Sequence, residues 1–148
     1  MRLSSAAGYA LSAVTYMATN KEDVPVASHV VAAARGIPER FLLKVLKPLV
    51  AARILSSIKG PNGGYRLTRT PQSVTLLEIV EAVDGPIQGV APRLSARRSE
   101  SPVRRVMASA ARKSGATLDR NLQGVCKDAA QVVRANLSKV RVSTLLGK

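Results

Sequence analysis

Residues Ser56–Leu67 read SSIKGPNGGYRL, and the fold turns on how this stretch is read. Gly60, Pro61, Asn62, Gly63 and Gly64 lie between two β-type runs, with Lys59 and Arg66 as a cation on either side. The stretch suits a phosphate cradle for a nucleotide, a plain hairpin, or a finger laid on DNA. A nucleotide-binding P-loop needs GxxxxGK[S/T] between a strand and a helix, and a dinucleotide fingerprint needs GxGxxG opening a helix. Here the glycines run into Tyr65-Arg66-Leu67, a strand pattern, and no Lys-Ser or Lys-Thr pair follows them. Context therefore excludes the nucleotide cradle. The hairpin stands, because Asn and Gly tolerate the positive φ that tight turns need.

The residues upstream decide between a plain hairpin and a finger. A short alanine-rich helix is expected over Ser28–Arg35, stopping at Gly36. Pro38 suits the first position of the next helix, where its missing N–H has no partner to lose. In PERFLLKVLK, helical spacing puts Phe41, Leu42, Val45, Leu46 and Leu49 on one face and Glu39, Arg40, Leu43, Lys44 and Lys47 on the other. Two short helices joined by a glycine turn fit a helix-turn-helix, and equally a piece of a bundle with a solvated charged face. Pro48 is expected to kink or end this helix. Ile54–Ile58 reads as a strand, followed by the glycine turn and the return strand. Helix, helix, strand, hairpin is the order of a winged helix-turn-helix, in which one helix enters the major groove and the hairpin reaches a neighbouring phosphate or the minor groove.

Flanking this unit, Ser4 and Ser5 cap a first helix whose stripe is Ala7, Leu11, Val14 and Ala18, ending near Asn20. Thr75 with Glu78 forms a capping box for a helix over TLLEIVEAVDG, with Leu76, Ile79, Val80 and Val83 inward and Gly85-Pro86 closing it. From Gln88 to about Ser101 the composition turns to Arg, Ser, Pro and Ala without period, a basic linker. Helical character returns from Val103 to Lys113, is expected to break at Ser114-Gly115, and resumes from Thr117 to Lys139. That last run carries Leu118, Leu122, Val125, Ala129, Val132 or Val133, Leu137 and Val140 on one side, longer than so small a domain needs, which predicts a dimer. The expected fold is mainly α with a small β-hairpin. Its divisions are a winged helix-turn-helix over 1–86, a linker over 87–102 and a helical dimerisation region over 103–148.

Composition agrees with a polyanionic partner. The 148 residues carry 23 Lys and Arg against 9 Asp and Glu, a formal charge of +14, and each cation placed on a phosphate gains affinity by counterion release. The excess is uneven: +4 over residues 1–86 and +10 over 87–148. A single cysteine, Cys126, excludes an intrachain disulfide and makes a cysteine-held metal implausible. No apolar run reaches the roughly 20 residues of a membrane span. The N-terminus lacks a secretory pattern, so a cytoplasmic location without membrane contact is expected. One His, one Cys and no paired carboxylates offer no catalytic constellation.

The opening MRLS, the helix GIPERFLLKVLKPL, the wing SSIKGPNGGYRL and the helix TLLEIVEAVDGP resemble the Rrf2 family of bacterial winged helix-turn-helix transcriptional regulators. The likeness covers residues 1–86 well and 125–146 loosely. It implies a homodimer whose long C-terminal helices cross between subunits and whose recognition helices read a palindromic operator in double-stranded DNA, as a repressor. By position, the base-reading face is Glu39, Arg40, Leu43 and Lys44, with Lys47 toward phosphate. Arg40 and Lys44 are suited to guanine O6 and N7, Glu39 to cytosine N4, and Leu43 to a thymine methyl, each weighed against phosphate contact or plain solvation. Lys59, Asn62 and Arg66 serve the wing, and Ser4 and Ser5 bring the first helix's amides to a phosphate. Tyr65 belongs to hairpin packing.

The chain also departs from that family. Many members hold an iron–sulfur cluster on three cysteines after the fourth helix, whereas residues 87–125 contain none. No cofactor is therefore expected. Cys126 reads as a small buried hydrophobe more readily than as a redox switch, and His29 as a surface residue. Ala6 and Gly8 stand where basic residues are common, and Arg53 where a glycine is usual. Arg93, Arg97, Arg98, Arg104 and Arg105 either add non-specific DNA affinity, bind an acidic partner, or are simply solvated. The alternative function is a basic winged-helix module for RNA, the ribosome or a protein, and an unidentified small ligand or partner protein remains open as the signal.

Overall fold

In the computed structural model, described over residues 2–20, 24–92 and 104–147 with backbone alone for 104–114, Ser4 opens the first helix. Its hydroxyl accepts the Ala7 N–H at 2.9 Å, and α1 runs Ser5–Thr19. The buried face is Ala7, Ala10, Ala13, Val14 and Met17, small enough for α1 to pack closely on two later helices. Those are α3, Glu39–Ala51, and α4, Leu76–Asp84; α2, Ser28–Arg35, lies against α1 and α3.

α2 ends in a Schellman turn at Gly36 (φ 62°), where the Gly36 and Ile37 N–H groups donate to Ala33 and Ala32. Pro38 sits one place outside α3, as the residue before its first turn, and its carbonyl accepts from Phe41 and Leu42. Leu42, Val45, Leu46 and Leu49 are buried, as spaced, but Phe41 is not: it is 37% exposed. At 100° per residue Phe41 lies about a quarter turn off the buried row, too far round to reach the core. Pro48 does not end α3, which continues to Ala51. The ladder donor it removes belongs to the carbonyl of Lys44, on the exposed face where water can serve it, while Leu46 and Leu49 anchor the helix from inside.

α3 closes with a second Schellman turn. Arg53 and Ile54 donate to Val50 and Leu49, and Ile54 and Leu49 are both buried in the core cluster. The left-handed position that glycine fills after α2 is held here by Arg53, at φ 56°. An L side chain there costs about 1–2 kcal/mol. Arg53→Gly is therefore expected to stabilise the protein by about 1 kcal/mol, a rise of about 2–4 °C in Tm for a chain of this size. Scanning calorimetry checks it, and an unchanged or lower Tm means the turn carries no such cost.

β1, Leu55–Ile58, and β2, Gly64–Leu67, pair antiparallel with Leu55 opposite Leu67 and Ile58 opposite Gly64. A third position joins them unannounced by any sequence period: Val26 bridges Tyr65, exchanging hydrogen bonds of 2.8 and 2.9 Å. Tyr65 packs against the core. Thr75 and Glu78 form the expected capping box of α4. Partial burial pushes the Glu78 carboxyl up, but the Thr75 N–H, the Arg69 guanidinium at 2.7 Å and the Thr75 hydroxyl outweigh it and hold it below the ordinary range. Ile79 and Val80 are buried, whereas Leu76 and Val83 are half-buried.

Ser114-Gly115 does not break the chain's last long helix: α5 is continuous over Arg104–Lys139. One interior glycine costs about 1 kcal/mol, which long helical runs on both sides absorb. The chain forms two compact units, Met1–Ile87 with Arg134–Lys148, and Gln88–Val133. The C-terminal tail thus belongs with the winged-helix unit. There Val142 N–H donates to Val74, Leu76 N–H donates to Val140, and α6, Val142–Leu145, buries Val142. Arg134 pairs with Glu81, whose carboxylate also accepts the Ile87 N–H at 2.9 Å. In the second unit, Gln123 of α5 receives the Ala91 N–H at 3.0 Å and donates to the Gly89 carbonyl. Arg93, Arg97 and Arg98 of the basic linker lie outside the described residues, as do the side chains of Arg104 and Arg105.

Candidate nucleic-acid interface

The outer face of α3 follows from its inner one. With Leu42, Val45, Leu46 and Leu49 fixed inward, rotation puts Arg40, Lys44 and Lys47 within about 60° of one another on the opposite side. All three are exposed. Glu39 and Leu43 (42% exposed) flank this row on one side and Phe41 on the other. Glu39 is only partly available as an acceptor, because Ser28 Oγ donates to its Oε1 at 2.7 Å. That bond ties the first turn of α3 to the first turn of α2.

The wing splits its expected contacts. Lys59 and Asn62 are exposed at the tip. Arg66 is half-buried on β2 opposite Ser56, at the base of the hairpin, and lines a cleft with Met17, Asn20 and Val24. It is engaged within the chain rather than presented like Lys59. Gly63 and Gly64 are there for close approach: a Cβ on either collides with backbone. At the start of α1, Ser5 is exposed, but Ser4 also donates to Asp84 Oδ1 at 2.6 Å, which sets a carboxylate beside those amides and weakens their pull on a phosphate.

Two features escaped the sequence reading. Arg35, at the end of α2, lies 5.3 Å from the Tyr16 ring centroid. Phe41 sits in the outer face with Arg40 and Lys44 over its ring. Exposed aromatics leave no periodic trace, so only the phase of Phe41 against the buried row signals it. Cys126 is half-buried on α5 and His29 is exposed on α2.

A tri-helical core, a helix pair joined at Gly36 and a two-stranded hairpin behind it define a winged helix-turn-helix protein. The family profile described as Rrf2, iron-dependent transcriptional regulator, matches residues 3–148. The chain belongs to the Rrf2 family. It is 36% identical over 90 residues to Rv1287 of Mycobacterium tuberculosis, an HTH-type transcriptional regulator, covering 61% of this chain and 56% of that one. It is 34% identical over 84 residues to the HTH-type transcriptional regulator IscR of Klebsiella pneumoniae, covering 57% and 52%. The chain thus matches about half the length of these curated relatives. In fold it is similar to CymR of B. subtilis, the global cysteine regulator, with a TM-score of 0.67 at 22% identity over 98% of this chain and 95% of that one.

The iron in the family's description meets a poor donor set here. Cluster ligation takes about four side chains, chiefly thiolates. This chain has one Cys and one His, and two copies only double them. Among the described residues no three of His, Cys, Asp and Glu come together as a metal site. The residues do not fit a thiolate-held cluster, and no iron-dependent step is assigned to them. Among the described residues, no helix is long and apolar enough to cross a membrane.

Proposed function

We propose that this chain is a cytoplasmic, homodimeric repressor that reads a two-fold symmetric site in double-stranded DNA. The observation that carries it is the exposed row Arg40, Lys44 and Lys47 on the outward face of the second helix of a helix-turn-helix. Arg40 and Lys44 take base edges, Glu39 and Leu43 flank them, and Lys47 faces phosphate. Lys59 and Asn62 place the wing tip on the backbone, with Arg66 at its root and Ser4 and Ser5 at the start of α1. Dimerisation is supported by α5, where Leu118, Leu122, Val125, Ala129 and Val132 alternate spacings of four and three. That is the 3.5-residue period of a two-helix seam. A small ligand or partner protein supplies the signal.

Selection of bound duplexes from random DNA at physiological salt tests this reading. A two-fold symmetric site with half-sites about one helical turn, or a multiple of it, apart is expected. Arg40→Ala should then lower affinity for that site by about 1–3 kcal/mol and relax one base position in each half-site. Lys59→Ala should weaken all duplexes alike. No enrichment over bulk DNA overturns the reading in favour of an RNA, ribosomal or protein partner.

A further inference from the structure

The core of the winged-helix unit does not use the chain's one phenylalanine. Phe41 stands a quarter turn from the buried row of α3, 37% exposed, on the flank of the face that carries the cations. The ring is partly covered but does not join the core cluster, so core packing alone does not account for its place there. Its neighbours supply another account. The Arg40 guanidinium carbon lies 4.7 Å from the ring centroid, and Lys44 Nζ lies 5.6 Å from it. Both distances are within the roughly 6 Å over which the negative face of a ring attracts a cation. Among the described residues, Lys47 has no such ring beneath it.

We infer that Phe41 is a positioning residue for base recognition: its ring holds Arg40 and Lys44 in a common orientation before DNA arrives. The inference rests on the reading of α3 as the recognition helix. Free Arg and Lys side chains each carry about 2 kcal/mol of rotamer entropy, part of which is lost when they are fixed against a base edge. A ring that already restricts them lowers that loss, and the gain appears only where their geometry matters. Phosphate contacts tolerate many orientations, whereas a bidentate contact to guanine tolerates few. The ring therefore serves discrimination rather than general affinity, and it acts on Arg40 and Lys44 but not on Lys47.

Two measurements test this. In the free protein, the δ protons of Arg40 and the ε protons of Lys44 should resonate upfield through the ring current, and return to ordinary positions in Phe41→Leu. Phe41→Leu, which keeps apolar bulk but removes the ring, should bind the selected duplex about two- to fivefold more weakly, the worth of one exposed cation–π contact. Its affinity for scrambled duplex and its salt dependence should not change. Phe41→Tyr should restore selective binding. Unshifted protons, an unchanged affinity in Phe41→Leu, equal losses on both duplexes, or failure of Phe41→Tyr to rescue would each overturn the inference. Arg40→Ala separates it from the reading beneath it. If that variant relaxes selection while Phe41→Leu does not, only the platform fails; if neither does, the assignment of α3 fails. The proton shifts need no DNA and decide the platform by themselves.

Discussion

Val125→Glu is expected to leave the protein monomeric and to lower its affinity for a two-fold symmetric duplex about 10²–10⁴-fold. The spacing of Leu118, Leu122, Val125, Ala129 and Val132 keeps one apolar line along α5. Within its own unit that line is not covered: Leu118, Val125 and Val132 are 53%, 65% and 61% exposed. A large apolar side chain left in water forgoes about 1.5–3 kcal/mol relative to burial, so in the proposed dimer a second copy laid along the line would stabilise it. Val125 lies at the middle. A glutamate there sets two carboxylates facing each other in the seam, and uncompensated charge at a buried contact costs about 3–5 kcal/mol. In the proposed dimer, affinity for a whole site depends on this because two linked reading heads would bind the second half-site as an intramolecular event. Affinity for an isolated half-site should stay as it was, since Val125 lies outside the winged-helix unit. Sedimentation equilibrium at about micromolar protein, with binding to whole-site and half-site duplexes, checks both parts. A variant that remains dimeric places the interface elsewhere; one that is monomeric yet binds the whole site unweakened removes the dimer from the mechanism.

How much of this was legible in the sequence depends on the range of the forces involved. Gly36 ending α2 and the Thr75–Glu78 box opening α4 are decided within four residues, and both stand where local chemistry put them. The outward face of α3 followed from a period, and Arg40, Leu43, Lys44 and Lys47 are all exposed. Phe41 shows the limit of that approach, because a residue at the edge of a stripe is assigned inward on hydrophobicity and outward only on angle. Pro48 and Gly115 show another limit. Local penalties of about 1–3 kcal/mol favour a kink or an end at Pro48 and a break at Gly115, but α3 and α5 both run on through them, held by packing on α3 and by sheer length on α5. Arg53 stands out only against the family resemblance, which has a glycine there and leaves either a different turn or an uncommon backbone, and it adopts the left-handed conformation. The remaining features depend on partners far apart in the chain. Ser4 meets Asp84 and Ser28 meets Glu39, and in doing so each changes what a predicted contact residue has left to offer. The tail around Val142 closes on Val74 through backbone groups that carry no sequence signature at all.

The Val26 bridge, invisible to periodicity, makes Gly64 a residue whose substitution reaches beyond the wing. Gly64→Ala is expected to destabilise the winged-helix unit by about 2–4 kcal/mol, above the ordinary range for a surface turn. A Cβ there would stand 2.5 Å from the Val26 carbonyl carbon and 2.8 Å from the Ala27 nitrogen, and closer still to the Val26 oxygen. These are backbone atoms, so no side chain can swing aside. Relief comes only if β2 and the Val26 segment part, and both Val26–Tyr65 hydrogen bonds go with them, at about 0.5–1.5 kcal/mol each. The consequence reaches the recognition helix. Val26 lies two residues before Ser28, and Ser28 holds Glu39 at the start of α3, so parting the bridge loosens the link from the wing to the reading face. The variant should melt about 10 °C lower and bind the selected duplex more weakly even well below its melting point. Gly60→Ala is the control: it occupies a left-handed position at the wing tip (φ 115°), but a Cβ there meets nothing within 4 Å. It should carry only the conformational cost, about 1–2 kcal/mol, without disturbing Val26. Equal melting temperatures for the two variants would show that the bridge contributes nothing beyond turn geometry. A markedly lower one for Gly64→Ala, with loss of hydrogen-exchange protection at the Val26 amide, would show that the wing is held by a strand the sequence does not announce.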